Sequence, residues 1–130
     1  MPEEAALAKI VDVATRAPGL VLLVLYGSRA RGDMHAGSDW DFGYIANSTF
    51  DPDRLLSHLV AALRTDAVDV ADLTRAGGLL RFRAARDGRP VFEARPEVFA
   101  RFWLDAVSFW CDVAPLVERG YEAILAELPR

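Results

Sequence analysis

The chain of 130 residues is long enough to bury one sizeable hydrophobic core but short for two, and we expect a single domain over residues 1–130. Its residues are 52% hydrophobic and 26% charged, which is typical of a globular protein. The net charge of −4 excludes an overall positive field, so nucleic acid is not expected as a direct partner. No apolar stretch is long enough to span a bilayer, and the N-terminus begins with acids in place of a signal peptide, so we expect a cytoplasmic protein.

Hydrophobic periodicity predicts alternating helices and strands in the first half of the chain. Residues 3–16 are predicted to form an amphipathic helix, and the apolar run at 20–26 is typical of a central strand covered on both faces. A second strand is predicted at 39–46, and a second helix at 53–65.

The second half continues with a strand at 67–72, a helix at 76–86 and a short strand at 90–94, which the proline in it places at a sheet edge. Residues 96–128 are predicted to be helical, with a kink or a split at Pro115. Four strands interleaved with helices indicate an α/β or α+β fold.

The last predicted helix carries an aromatic stripe that has two interpretations. The stripe either faces the core or remains partly exposed as a partner surface, since aromatic residues are enriched at interface hot spots. Cys111, on the same segment, is expected to be buried as a small hydrophobe. The stripe consists of Phe99, Phe102, Trp103, Val107 and Trp110.

Two acids lie one residue apart in the strand predicted at 39–46. By strand parity, Asp39 and Asp41 share one face, roughly 6.6 Å apart along the backbone, while Trp40 points to the other face. Such carboxylates repel each other unless a proton or a cation lies between them. Asp69, on the strand at 67–72, is the candidate for a third ligand, and oxygen-only ligation suits Mg²⁺ or Mn²⁺ better than zinc.

A Gly-Ser pair follows the apolar strand at 20–26. Gly27 allows the backbone to approach a phosphate, and Ser28 adds a hydroxyl donor, although a serine here can also act as a simple helix cap. Arg29 and Arg31 beside the pair either contact phosphate or are solvated. A phosphate cradle facing paired acids suits phosphoryl or nucleotidyl transfer.

Gly27-Ser28, ten intervening residues and Asp39-Trp40-Asp41 together resemble the GS-x10-DxD signature of the polymerase-β-like nucleotidyltransferases. The segment 68-VDVADL-73 is similar to the strand that bears the third carboxylate of that family. The short length and the GSRARGD opening resemble the minimal nucleotidyltransferases, especially the antitoxins of MNT/HEPN toxin–antitoxin pairs. The resemblance covers residues 20–94, with the C-terminal helices at 96–128 outside it.

The resemblance implies a small mixed sheet of about four strands flanked by helices, with ATP as a substrate bound together with Mg²⁺. Carried over by position, Gly27 and Ser28 hold the triphosphate, and Asp39 and Asp41 bind the metals. Asp69 binds one metal and helps to deprotonate the acceptor hydroxyl. The sequence departs from the usual pattern at Trp40, which replaces a smaller aliphatic residue and points away from the acids.

The antitoxin branch of the family implies a specific reaction and a specific partner. The chain would be a type VII antitoxin that transfers AMP from ATP to a tyrosine of a cognate HEPN RNase toxin and forms a hetero-oligomer with it. Two alternatives stay open. The chain either neutralises the toxin by occluding it without catalysis, or acts alone as a nucleotidyltransferase on a small molecule.

Overall fold

The computed structural model describes residues 3–32 and 38–127. Every predicted element is present, and its ends are shifted by no more than two residues, while the predicted helix end at 128 lies outside the described residues. The elements in chain order are α1 (Glu3–Thr15), β1 (Leu20–Tyr26), α2 (Ser28–Arg31), β2 (Trp40–Ala46), α3 (Pro52–Leu63), β3 (Val68–Asp72), α4 (Gly78–Asp87), β4 (Arg89–Glu93) and α5 (Val98–Glu127).

The four strands form one mixed sheet in the order β3-β2-β1-β4. β1 is antiparallel to both β2 and β4, whereas β2 and β3 are parallel. The prediction that residues 20–26 form a central strand and 90–94 an edge strand is therefore confirmed. The expected small mixed sheet flanked by helices is confirmed as well.

Each face of the sheet packs against its own set of helices. On one face Trp40, Phe42 and Tyr44 are buried in a cluster that includes residues of α1 and α3. On the other face Leu22 and Val24 pack with residues of α4 and α5. Because successive strand residues point to opposite faces, this burial leaves the acids of β2 on the α4/α5 side, as strand parity predicts.

Helix α5 differs from the sequence expectations in two respects. It continues through Pro115 as one helix, so of the predicted kink or split the split is wrong and the kink stays a prediction; the missing N–H of one proline removes a single bond of the helix ladder. Cys111 is exposed, not buried, because the buried residues of α5 among those described, Phe102 and Ala106, lie in its first third. No helix in the described ranges is long and apolar enough to cross a membrane.

The aromatic stripe of α5 is divided between the two interpretations. Phe102 is buried against the sheet, whereas Trp103 is 41% exposed. Leu104 and Leu116 add further apolar surface, with 57% and 60% of their areas accessible. The side of the stripe that carries Phe102 therefore belongs to the core, whereas Trp103 on the other side is partly exposed.

A cation–π clamp links the start of α2 to the start of β2. The Nε and Nη2 atoms of Arg29 donate hydrogen bonds to the carbonyl oxygen of Ser38, at 3.1 and 3.0 Å. The guanidinium carbon of Arg29 lies 4.0 Å from the ring centroid of Trp40, which is itself buried. These contacts hold the backbone at Ser38, just before the acidic motif. They also engage the guanidinium of Arg29 in a structural role.

We expect the Arg29→Gln and Trp40→Leu substitutions to be energetically coupled. A partly buried cation–π contact contributes about 1 kcal/mol, so a double-mutant cycle measured by urea unfolding should give a coupling free energy of about that size. The control cycle pairs Trp40→Leu with Arg16→Gln, whose exposed guanidinium bonds Asp12 on α1, and should be additive. Additivity in the Arg29 cycle would show that the clamp does not contribute to stability.

Candidate active site

Three side chains converge where β1 ends and β2 and β3 begin. Asp41 of β2 pairs with Asp69 of the parallel strand β3 and with Tyr26 of the antiparallel strand β1. Paired residues on neighbouring strands lie on the same face of a sheet, about 4.8 Å apart. The structure therefore places the second acid of the DxD motif directly beside the predicted third carboxylate.

Asp39 lies just before β2 and is exposed. The backbone there is held by a 2.8 Å hydrogen bond from the N–H of Trp40 to the carbonyl of Ala67, which anchors the start of β2 to the start of β3. Asp39 is close enough to Asp41 to raise the pKa of that carboxyl. All three predicted acids thus lie at the same end of the sheet, with Asp41 in the middle.

The electrostatics of the site are dominated by the carboxylates of Asp39, Asp41 and Asp69, which lie near one another. Burial raises the pKa of Asp41 above its ordinary value, and the carboxylates of Asp69 and Asp39 raise it further, whereas Arg31 lowers it. Burial also raises the pKa of Tyr26, and Asp41 and Asp69 contribute in the same direction. Both pKa shifts have the same physical cause, because the ionised form of each group is destabilised unless a positive charge lies nearby.

Gly27 brings the backbone against the acids. It has a φ of 75°, and a Cβ built there would lie 2.5 Å from Oδ2 of Asp41. Any larger residue would both strain the backbone and displace the carboxylate. The glycine of the Gly-Ser pair is therefore required at this position by the acid of the DxD motif.

Ser28 is the first residue of α2, and Gly27 occupies the N-cap position. The carbonyl of Gly27 accepts hydrogen bonds from the N–H groups of Ala30 and Arg31, both at 3.2 Å. Ser28 is therefore not the cap of this helix, contrary to the capping interpretation. Ser28 is half-buried and directly follows Gly27, which contacts the acid site.

Arg29 and Arg31 have different roles although they are two residues apart. Arg29 is held by Ser38 and Trp40, as described above. Arg31 lies 3.9 Å from Asp87 at the end of α4 and lowers the pKa of Asp41. Of the two arginines, Arg31 is the one whose charge reaches the acids.

The donor set of the site fits a hard divalent cation, because the ligating atoms on offer are carboxylate oxygens. Within residues 3–32 and 38–127, however, no three acidic, histidine or cysteine side chains stand close enough to hold an ion unaided. Mg²⁺ is commonly bound by one or two carboxylates together with water and substrate phosphates, so this arrangement agrees with an ion that arrives with a nucleotide.

The sequence did not single out Tyr26 as a member of this site. Its place beside Asp41 and Asp69 follows from the antiparallel register of β1 and β2, which periodicity does not reveal. Its position immediately before the Gly-Ser pair was the available signal. The segment 33–37, inside the GS-x10-DxD spacing, lies outside the described residues.

Comparisons with known proteins agree with this geometry. Residues 8–97 match the sequence family described as polymerase beta, nucleotidyltransferase. A curated relative, the protein adenylyltransferase MntA of Aphanizomenon flos-aquae, is 33% identical over 101 residues, which cover 68% of this chain and 67% of the relative.

Solved structures show the same fold. A toxin–antitoxin complex with AMP-PNP contains a chain that matches with a TM-score of 0.77 at 24% identity, over 92% of this chain and 98% of the other. A complex of the tri-AMPylated HEPN toxin of Shewanella oneidensis with its MNT antitoxin matches with a TM-score of 0.74 at 21% identity, over 95% and 99% of the two chains. The family match covers most of the chain and includes all the residues of the acid site. The chain therefore belongs to the polymerase β nucleotidyltransferase family, as its GS-x10-DxD motif predicts.

Proposed function

We propose that this chain is a Mg²⁺-dependent protein adenylyltransferase that transfers AMP from ATP to a tyrosine of a cognate HEPN RNase and thereby acts as its antitoxin. The observation that carries the proposal is the close approach of Gly27 to Asp41, which in turn is paired with Asp69. The relative named as a protein adenylyltransferase supports the choice of a protein as acceptor. A single domain over residues 1–130, a cytoplasmic location and a hetero-oligomer with the toxin are parts of the same proposal.

The residues of the site have separate tasks in this reaction. Gly27 and Ser28 hold the triphosphate through the backbone and the hydroxyl, and the charge of Arg31 is near enough to attract it. Asp39 and Asp41 would hold Mg²⁺, and Asp69 would hold one ion and take the proton of the attacking hydroxyl. When bound, Mg²⁺ offsets the negative charge that develops on the phosphate oxygens.

The proposed activity predicts a mass increase on the toxin that depends on the acid pair. Incubation of the chain with ATP, Mg²⁺ and the HEPN protein encoded beside it should add one or more AMP units, measured by intact mass spectrometry. The Asp39→Asn plus Asp41→Asn variant should lose this activity by at least about a hundredfold, because charge stabilisation is the main contribution to such catalysis. An unchanged toxin mass, or a mass increase that survives the double substitution, would contradict the proposal.

The same variant distinguishes the second candidate function, neutralisation by occlusion. The exposed apolar residues Trp103, Leu104 and Leu116 of α5 favour that candidate, because such surface is typical of a protein interface. Full neutralisation of the toxin RNase by the double variant would establish occlusion. Transfer of AMP to a small molecule without any protein partner would instead establish a stand-alone enzyme.

Gly27→Ala should abolish most of the activity while leaving the protein folded. The added Cβ meets the Asp41 carboxylate, and the positive φ strains an alanine by about 1 kcal/mol, which a folded domain tolerates. We expect a loss of AMP transfer of about a hundredfold or more. Gly32→Ala is the matched control, since Gly32 has a similar φ of 84° but no atom of the described residues within 4 Å of its Cβ position, and should retain activity. Equal loss in both variants would assign the effect to backbone strain alone.

Metal-free protein should become less stable as the pH rises through the elevated pKa of Asp41. A carboxyl whose pKa is higher in the folded state than in the unfolded state stabilises the fold when protonated, and this stability is lost as the group ionises. Asp41→Asn mimics the neutral acid and should raise the melting temperature of the metal-free protein at neutral pH by a few degrees, with a smaller gain at low pH.

Mg²⁺ with a non-hydrolysable ATP analogue should stabilise the wild type and leave the Asp41→Asn variant nearly unaffected. Asp66→Asn, which removes an exposed carboxylate just before β3, is the control and should behave as the wild type in both measurements. A melting temperature of Asp41→Asn equal to that of the wild type at every pH would disprove the electrostatic argument.

A further inference from the structure

A cavity of about 450 Å³ lies at the far end of the sheet from the acids. Its volume falls within the range of about 300–1,000 Å³ that is typical of small-molecule sites. Three arginines from three different segments line it: Arg81 of α4, Arg95 after β4 and Arg101 of α5. We call this cavity the arginine pocket.

The arginine pocket is separate from the proposed active site. Its strand residues are Val21, near the start of β1, and Ile45, near the end of β2, whereas the acid site uses the opposite ends of both strands. Ile45 is four residues from Asp41 on the same strand, which corresponds to about 13 Å. A ligand in the arginine pocket would therefore leave the acids uncovered.

Arg81 is the deepest cation of the pocket. Its Nε atom is buried and has no hydrogen-bond partner within the described part of the chain. Its guanidinium carbon lies 5.7 Å from the ring centroid of Phe102, which holds the group over an apolar floor. Arg81 as a whole is half-buried and lines the cavity. A buried N–H without an acceptor is unfavourable, so a small shift of the side chain that brings this N–H to a ligand oxygen would relieve that penalty.

Three arginines and two acids line the pocket, so its side chains carry a net charge of +1. Arg95 and Arg101 are exposed, and in the described ranges neither they nor Arg81 form an ion pair with Glu97 or Asp105, which also line the cavity. The pocket also contains the first turn of α5, whose N-terminal end carries a partial positive charge. The two acids would repel a highly charged polyphosphate. A single phosphate group carries less negative charge and matches the small net positive charge of the pocket better.

We propose that the arginine pocket binds the phosphate group of a small ligand, either a phosphate monoester or free phosphate. Three guanidinium groups match an anion with three or more acceptor oxygens better than a carboxylate, which offers two. The apolar residues Val21, Ile45 and Phe102 would contact the organic part of a monoester. The site is independent of the proposed transferase reaction, since it shares no residue with the acid site.

Titration of the full chain with inorganic phosphate and with ribose 5-phosphate, at constant ionic strength, tests this proposal. Isothermal calorimetry should show saturable binding, and the Nε–H resonance of Arg81 should shift in ¹⁵N-edited NMR spectra. Arg81→Gln should weaken the binding by about tenfold or more, because a charge-assisted hydrogen bond is lost. Tighter binding of ribose 5-phosphate than of phosphate identifies a monoester as the ligand class, and equal affinities identify free phosphate.

Two further variants keep the test independent of folding and of the transferase site. Arg101→Gln removes an exposed arginine of the pocket without disturbing the core and should also weaken binding, whereas Arg83→Gln, on the exposed side of α4, should not. Asp41→Asn should bind both probes as the wild type does, whatever its transferase activity. Absence of saturable binding, or an equal loss in the Arg83 and Arg101 variants, would overturn the proposal.

Discussion

The parallel pairing of β2 with β3 sets Asp41 beside Asp69, and the rest of the site is arranged around that pair. Two carboxylates about 5 Å apart repel each other by an energy of roughly 1–3 kcal/mol, depending on the local dielectric. The opposite face of the same strands buries Trp40, Phe42 and Val68, and each large apolar side chain contributes about 1.5–3 kcal/mol on burial. Apolar burial therefore outweighs the repulsion. A slip of one residue in register would bury the acids and expose the aromatic side chains, so the apolar face fixes the position of the acids.

Because one face of these strands is apolar and the other carries the acids, much of the site could be predicted from the sequence. Parity along a strand is a local property, so the alternation around Asp39, Trp40 and Asp41 was sufficient to assign the two faces. Asp69 was identified in the same way, from the valines on either side of it. The helices were equally local, because their caps and periodic apolar residues lie within the segments themselves.

What the sequence could not provide was the pairing of distant segments. The order β3-β2-β1-β4 decides that Asp41 faces both Asp69 and Tyr26, and no single segment contains that information. Long-range burial was equally hidden on α5, where the periodic pattern led us to expect a buried Cys111. The helix continues past the sheet that covers Phe102, so the same pattern is core around Phe102 and exposed surface around Cys111.

The position that departs from the usual DxD pattern has a structural consequence for the neighbouring arginines. Trp40 provides the ring over which Arg29 lies, and the carbonyl of Ser38 accepts two hydrogen bonds from that guanidinium. An aliphatic residue would offer no such surface, and Arg29 would then lose one of its two anchors. With Arg29 engaged in this way, Arg31 is the cation beside the Gly-Ser pair whose field reaches Asp41. The tryptophan thus affects the surroundings of the acids indirectly: it faces away from them, yet it holds Arg29, one of the two arginines beside the Gly-Ser pair, in a structural contact.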